Sequence, residues 1–222
     1  MQKLASLAVL PFFLSGINSY AQKPSQLYNG KNLNGWYAFD SASGKHKKAN
    51  ELFQASDNMI RMFGPEAGYL MSKKSYNEFE LTAEFRWNTV ENFTRKNNKK
   101  NSGLMYLVPE SAKDTLWPQG IQFQIKEGST GDFILLQNVT LEQKGTRNDP
   151  GRSVVLGKDK DAEMPTGEWN KIRIRVESGK VSQYLNGELV NEGIKPSVNN
   201  GRILLQYEGF PIDFRNIEIT KL

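Results

Sequence analysis

Residues Glu78 to Trp87 read EFELTAEFRW, and this stretch decides the fold. Phe79, Leu81, Ala83, Phe85 and Trp87 occupy every second position, with Glu80, Thr82, Glu84 and Arg86 between them. Successive side chains of a strand point to opposite faces, so the pattern predicts a strand with one face in a core and one in water. The same period runs through Trp169 to Val176, where Ile172, Ile174 and Val176 point inward. Gly103 to Val108, Gly120 to Lys126, Asp132 to Leu136, Arg202 to Tyr207 and Ile212 to Thr220 are further strands by the same criteria. Val181 to Leu185 and Glu188 to Val190 flank Asn186-Gly187, a pair suited to a type I′ hairpin turn. No segment carries a sustained helical period with caps. Many short strands, punctuated by joints such as Gly64-Pro65 and Asp149-Pro150-Gly151, predict an all-β sandwich or jelly roll.

The N-terminus sets the expected compartment. Lys3 gives a short positive segment, Leu4 to Ile17 is almost free of polar residues, and Ser19-Tyr20-Ala21 supplies the small residues of a cleavage site. That layout predicts a signal peptide over 1–21 and a single exported domain over 22–222, periplasmic or extracellular. The apolar run is shorter than the roughly 20 residues of a membrane span, so no integral membrane segment is expected after cleavage. The sequence holds no cysteine, which removes disulfides, thiol nucleophiles and Cys-based metal sites. One histidine is too few for a zinc site built on imidazoles, and no loop has calcium-ligand spacing. No metal or other cofactor is expected.

The net charge of +5 gathers partly in two loops, Lys45-His46-Lys47-Lys48 and Arg95 to Lys100. Such runs read as solvated loops, with weak attraction to acidic glycans as the functional alternative. Nucleic acid is not an expected partner of an exported chain. His46 is a chemically attractive base, but it sits inside the first lysine run.

Strand parity also sorts the polar residues. Ile121, Phe123 and Ile125 share one face of their strand, and Gln122, Gln124 and Lys126 share the other. Leu204, Gln206 and Glu208 share a face in the same way. Amides both donate and accept hydrogen bonds, which suits several sugar hydroxyls at once. If the sheet brings these strands together, Arg86, Gln124, Lys126, Gln206 and Glu208 converge on one polar face, and an enzymatic reading requires that convergence. Among the tryptophans, Trp36, Trp87 and Trp169 read as structural, while Trp117 in Leu116-Trp117-Pro118 is the candidate for stacking on a sugar ring.

Several stretches occur together in a recognisable order: Leu27 to Trp36 (LYNGKNLNGW), Asn101-Ser102-Gly103-Leu104, Gly120 to Gly128 (GIQFQIKEG), Gly131-Asp132-Phe133, Gly167 to Asn170, Leu205 to Gly209 (LQYEG) and Phe214 to Ile217. In this order they resemble the 3-keto-disaccharide hydrolase domain family over nearly all of the chain after residue 21. The resemblance implies a concanavalin A-like jelly roll of two curved antiparallel sheets with a glycan site on the concave face. It implies cleavage of glycosides oxidised at carbon 3, by hydrolysis or elimination, with an oligosaccharide or glycoside as partner. A non-catalytic carbohydrate-binding module of the same fold is the alternative. Glu127, Asp132 and Glu208 are the carboxylates in the matching motifs. Ordinary glycoside hydrolysis needs two carboxylates at a set separation. A ketone at carbon 3 acidifies the proton on carbon 2, so one base and one oxyanion stabiliser are enough. Glu208 is then the expected base and Lys126 or Arg86 the stabiliser. Asn101, Gln122, Gln124, Gln206 and Trp117 are the expected substrate contacts.

Overall fold

The computed structural model describes residues 23–89 and 99–222. The expected signal peptide and most of the second basic run lie outside the described residues. In chain order the strands are β1 (Ser25–Gln26), β2 (Trp36–Asp40), β3 (Gly44–His46), β4 (Gln54–Ser56), β5 (Met59–Met62), β6 (Gly68–Tyr76), β7 (Phe79–Trp87), β8 (Asn101–Val108) and β9 (Gly120–Lys126). They continue with β10 (Phe133–Leu136), β11 (Glu142–Gln143), β12 (Thr146–Arg147), β13 (Ser153–Leu156), β14 (Asn170–Glu177), β15 (Lys180–Leu185), β16 (Glu188–Ile194), β17 (Gly201–Tyr207) and β18 (Ile212–Lys221). A single 3-10 turn, Ala49–Glu51, is the only helical element among the described residues. None of these residues forms a helix long and apolar enough to cross a membrane.

The strands form two antiparallel sheets. The first runs β12-β11-β16-β15-β14-β7-β18-β5-β4, with β1 joined to β18. The second runs β13-β10-β9-β8-β17-β6-β2-β3. Neighbours in these orders are often far apart in sequence, as a jelly roll requires. The two sheets press their apolar faces together, with Phe79, Leu81 and Phe85 from the first meeting Leu104, Phe123 and Leu205 from the second. Each such side chain stabilises the fold by about 1.5–3 kcal/mol on burial. The expected hairpin is present: Asn186 and Gly187 both have positive φ (52° and 91°), and Leu185 faces Glu188 across the turn.

The two sheets differ on their outer faces. In β7 and β14 buried and part-exposed residues alternate, so the first sheet is wet outside. In β8, β9 and β17 nearly every residue is buried. The second sheet therefore has a covered outer face, and a second apolar cluster sits on it, built from Tyr37, Tyr69, Met71, Met105, Ile134 and Leu204. The loop 109–119 covers this cluster with Ala112 and Trp117. Asp114 pins the loop, accepting from the Tyr37 hydroxyl at 2.6 Å, the Tyr69 hydroxyl at 3.1 Å and Lys45 at 2.7 Å. One buried polar link crosses the core. The Tyr106 hydroxyl donates to Gln183 Oε1 at 3.0 Å, and the same amide donates to the Gly131 carbonyl at 3.1 Å.

Two outcomes follow. Tyr106→Phe leaves a buried amide oxygen without its donor and lowers stability by about 1–3 kcal/mol, read as a lower urea midpoint with an unchanged slope. An unchanged midpoint would remove the cross-core bond from the account. For Asp114, burial pushes the carboxyl up, but hydrogen bonds from Lys45 and Tyr37, with Tyr69, outweigh it and hold the group below its usual 3.8. A lowered folded value stabilises above the unfolded value, and the effect is lost as pH falls through the folded value. Amide exchange over 109–119, corrected for its intrinsic pH dependence, should therefore stay slow at neutral pH and rise at pH values below 3.8. Asp114→Ala should exchange fast at both.

Candidate functional site

The outer face of the second sheet is where strand parity puts the amides. In β9, Ile121, Phe123 and Ile125 enter the core, which turns Gln122, Gln124 and Lys126 outward. In β17, Ile203, Leu205 and Tyr207 enter the core, which turns Leu204 and Gln206 outward, with Glu208 just past the strand end. β8 lies between them and supplies Asn101, Gly103 and Met105. Register then arranges these residues in rows across the sheet. Asn101 stands opposite Lys126, and its amide donates to Glu208 Oε2 at 2.7 Å, giving the row Glu208–Asn101–Lys126. Gly103 stands opposite Gln124, and Tyr69 opposite Gln206. The next row is Leu204, Met105, Gln122 and Ile134. The face thus grades from charged through amide to apolar, ending under Trp117.

The amides organise one another. Gln122 Nε2 donates to Gln124 Oε1 at 2.7 Å, and Gln206 Nε2 donates to Glu208 Oε1 at 2.6 Å. Both carboxylate oxygens of Glu208 are therefore held by amides. Two buried acceptors in the cluster, Asn101 Oδ1 and Gln206 Oε1, have no hydrogen-bond donor among the described residues. Such oxygens need a donor from water or from a bound molecule. Lys126 is part-exposed, with no ion pair among the described residues. Gly103 makes the packing possible. A Cβ there would lie 2.5 Å from the Gln122 amide and 2.6 Å from Gln206 Oε1. A glycine inside a strand is itself the signal of such a close approach.

The remaining expected residues are placed elsewhere. Arg86 is on the first sheet and does not join the face. It pairs with the buried Asp213 at 3.2 Å and stacks on Trp169, with its guanidinium carbon 4.7 Å from the ring centre. Trp169 is half-buried on the outer side of the first sheet and not in the core, with Arg215 covering its ring as well, at 3.8 Å. Trp36 and Trp87 are buried, as their motifs suggested. Asp132 accepts from the Lys158 backbone N–H at 2.9 Å and so fixes a loop. Glu127 is exposed and pairs with Lys100 at 3.1 Å, which draws its carboxyl below the usual range. His46 is held between Asp40 and Glu51, each at 3.1 Å, away from the amide face.

One further acid, unmarked in the sequence, stands beside these residues. Glu163 lines a hollow of about 280 Å³ with Trp87, Lys100 and Glu127. Burial raises its carboxyl above the usual range, and contacts to Thr130 and Trp87 pull it back only in part. Nothing in its surroundings in sequence, Asp161-Ala162-Glu163-Met164, signals burial. Among the described residues no three His, Cys, Asp or Glu side chains gather with the geometry to hold a metal ion.

The architecture recurs in solved structures. A candidate glycosyl hydrolase from Parabacteroides distasonis superposes with a TM-score of 0.63 at 20% identity, covering 90% of this chain and 94% of that one. The carbohydrate-binding module CBM66 from Bacillus subtilis gives 0.59 at 13% identity, covering 84% and 96%. The β-glucanase of Bacillus licheniformis gives 0.54 at 12% identity, covering 92% and 99%. At these identities the likeness establishes the fold, a concanavalin A-like jelly roll. No curated protein matches the chain. The family model of the 3-keto-alpha-glucoside-1,2-lyase-like domain matches residues 23–220. With its motifs in order along a two-sheet jelly roll, the chain belongs to the 3-keto-alpha-glucoside-1,2-lyase-like (3-keto-disaccharide hydrolase) domain family.

Proposed function

We propose that the chain is an exported carbohydrate-active enzyme that cleaves the glycosidic bond of 3-keto-glycosides on the outer face of its second sheet. The observation that carries this reading is the row Glu208–Asn101–Lys126, which sets one carboxylate and one ammonium two strands apart. Strands lie about 4.8 Å apart, so the two backbones are separated by roughly 10 Å, the space of a sugar ring with a side chain reaching in from each side. Glu208 removes the proton from carbon 2. The electron pair moves into the carbonyl, and Lys126 stabilises the resulting oxyanion on the carbon 3 oxygen. The enolate then re-forms its carbonyl as the bond from carbon 1 to the leaving oxygen breaks, and that oxygen takes up a proton. Water adding to carbon 1 afterwards would give net hydrolysis. Gln124 and Gln206 hold ring hydroxyls, and Trp117 borders the apolar end. The signal-like segment over 1–21 supports export.

A second reading, a glycan-binding module without catalysis, is favoured by one feature. Both oxygens of Glu208 already accept amide hydrogens, an arrangement that equally suits a carboxylate whose task is only to accept from sugar hydroxyls. Incubation with 3-keto-glycosides and matched unoxidised glycosides, followed by mass spectrometry, separates the two readings. The enzyme should consume only the keto substrates, and products lighter by one water identify elimination. Glu208→Gln should lower kcat by about 10²–10⁴-fold. Lys126→Met should lower kcat by about 10²–10³-fold, as loss of an oxyanion donor does. Gln124→Ala should act mainly on KM. Saturable glycan binding without turnover of any keto substrate would establish the binding module instead.

A further inference from the structure

The lysine loop that the amide face does not use closes a second groove. It has a volume of about 740 Å³, within the roughly 300–1,000 Å³ typical of ligand sites. Lys31, Lys47, Lys48 and Lys73 line it from three separate parts of the chain. None of the four has an ion-pair partner among the described residues. Lysines elsewhere are neutralised locally, such as Lys100 by Glu127, Lys158 by Asp161 and Lys195 by Glu142. The one carboxylate on the groove wall, Glu51, is turned toward His46 Nδ1 at 3.1 Å. The groove therefore carries four ammonium groups against a single acid that is already engaged.

The rest of the lining is not that of a bare charged surface. Phe63, 39% exposed, and the buried Phe53 give an aromatic floor. Asn32, Asn34, Asn50 and Gln54 give amides on the rim. The frame is fixed. Trp36 Nε1 donates to the Leu27 carbonyl at 2.9 Å, and His46 ties the lysine loop to Asp40 at 3.1 Å. Lys73 lies five residues along β6 from Gly68, the partner of Tyr207, so about 16 Å of strand separates Lys73 from the level of Glu208, while Phe53 at the aromatic end packs edge-on against Tyr207 with ring centres 5.9 Å apart.

We infer that this groove is a second binding site, for an acidic oligosaccharide segment carrying carboxylate or sulfate groups. Ammonium groups meet the anions, amides meet the hydroxyls, and the exposed Phe63 ring meets the apolar face of a sugar. The four lysines take no part in the chemistry assigned to Glu208, and the site would anchor the protein on a polyanionic matrix.

Isothermal titration of the full domain with a uronic-acid hexasaccharide, a sulfated hexasaccharide and a neutral hexasaccharide tests the site at low and physiological salt. At least one acidic probe should bind saturably, weaken with salt and outcompete the neutral one. Lys47→Glu/Lys48→Glu should weaken that binding by about tenfold or more. Phe63→Ala should lower affinity while leaving the salt dependence intact. Lys171→Glu, on β14 and outside the groove, should bind the acidic probe as the wild type does. Thermal unfolding of each variant checks that it is folded. The inference is overturned by any of three results: no saturable binding, binding that survives the charge reversal, or inorganic polyphosphate binding as tightly as the sugars. The last would mark a site for charge alone. Loss of keto-glycoside turnover in an otherwise normal titration would bear on Glu208 and not on this groove.

Discussion

A sheet nearly buried on both faces offers little water to its polar side chains, so Gln122, Gln124 and Gln206 find most of their partners within their own layer. That demand orders the whole face. Gln122 gives to Gln124, Gln206 gives to Glu208, and Asn101 gives to the other oxygen of Glu208. The arrangement closes only because Gly103 has no Cβ between Gln122 and Gln206. Amides locked in this way have lost their rotamer freedom before any ligand arrives, which is what preorganisation means energetically. The two acceptors left without a donor among the described residues, Asn101 Oδ1 and Gln206 Oε1, belong to this same locked set.

The first sheet solves its electrostatics differently. Its outer face is wet, and its charges pair across strands: Glu84 with Arg215 at 2.7 Å and Glu80 with Arg173 at 3.3 Å. Pairs of this kind contribute little individually. Asp213 is the exception, almost fully buried, and it draws Arg86 and Arg61 to itself. A buried carboxylate left without a cation is strongly destabilising, so Arg86 is committed to Asp213. The oxyanion role proposed for the amide face therefore falls to Lys126 and not to Arg86.

What could be read from the chain follows from how each strand is buried. β7, β14 and β18 have one wet face, and their alternation shows in EFELTAEFRW and its counterparts. β2 and β6 were not anticipated. Trp36–Asp40 is buried almost throughout, and Gly68–Tyr76 begins with five buried residues, so neither alternates. Short edge strands such as β4, β11 and β13 carry too few residues for a period to show. The amide face was legible because Gln122, Gln124 and Gln206 interrupt apolar runs at every second position. Arg86 was assigned to it wrongly because parity fixes the face of a strand but not the sheet to which the strand belongs. Gly103, Asp114 and Glu163 depend on contacts distant in sequence, which no local pattern encodes.

The layout of charge on the amide face also bears on the kind of bond-breaking it favours. Direct hydrolysis of an unoxidised glycoside asks for two carboxylates about 5–9.5 Å apart, one protonated and one ionised. Across from Glu208 stands Lys126, and the nearby acids of the matching motifs are engaged: Asp132 by the Lys158 N–H and Glu127 by Lys100. A lysine in the second position cannot serve as the protonated acid that leaves as a carboxylate, but it can meet negative charge that develops on an oxygen. A ketone adjacent to the scissile centre creates that charge, because deprotonation of the neighbouring carbon places it on the carbonyl oxygen. One carboxylate with one ammonium is thus a poor set for ordinary glycosides and a sufficient set for keto-glycosides. The selectivity for oxidised sugars proposed above follows from this pairing of charges more than from the shape of the face.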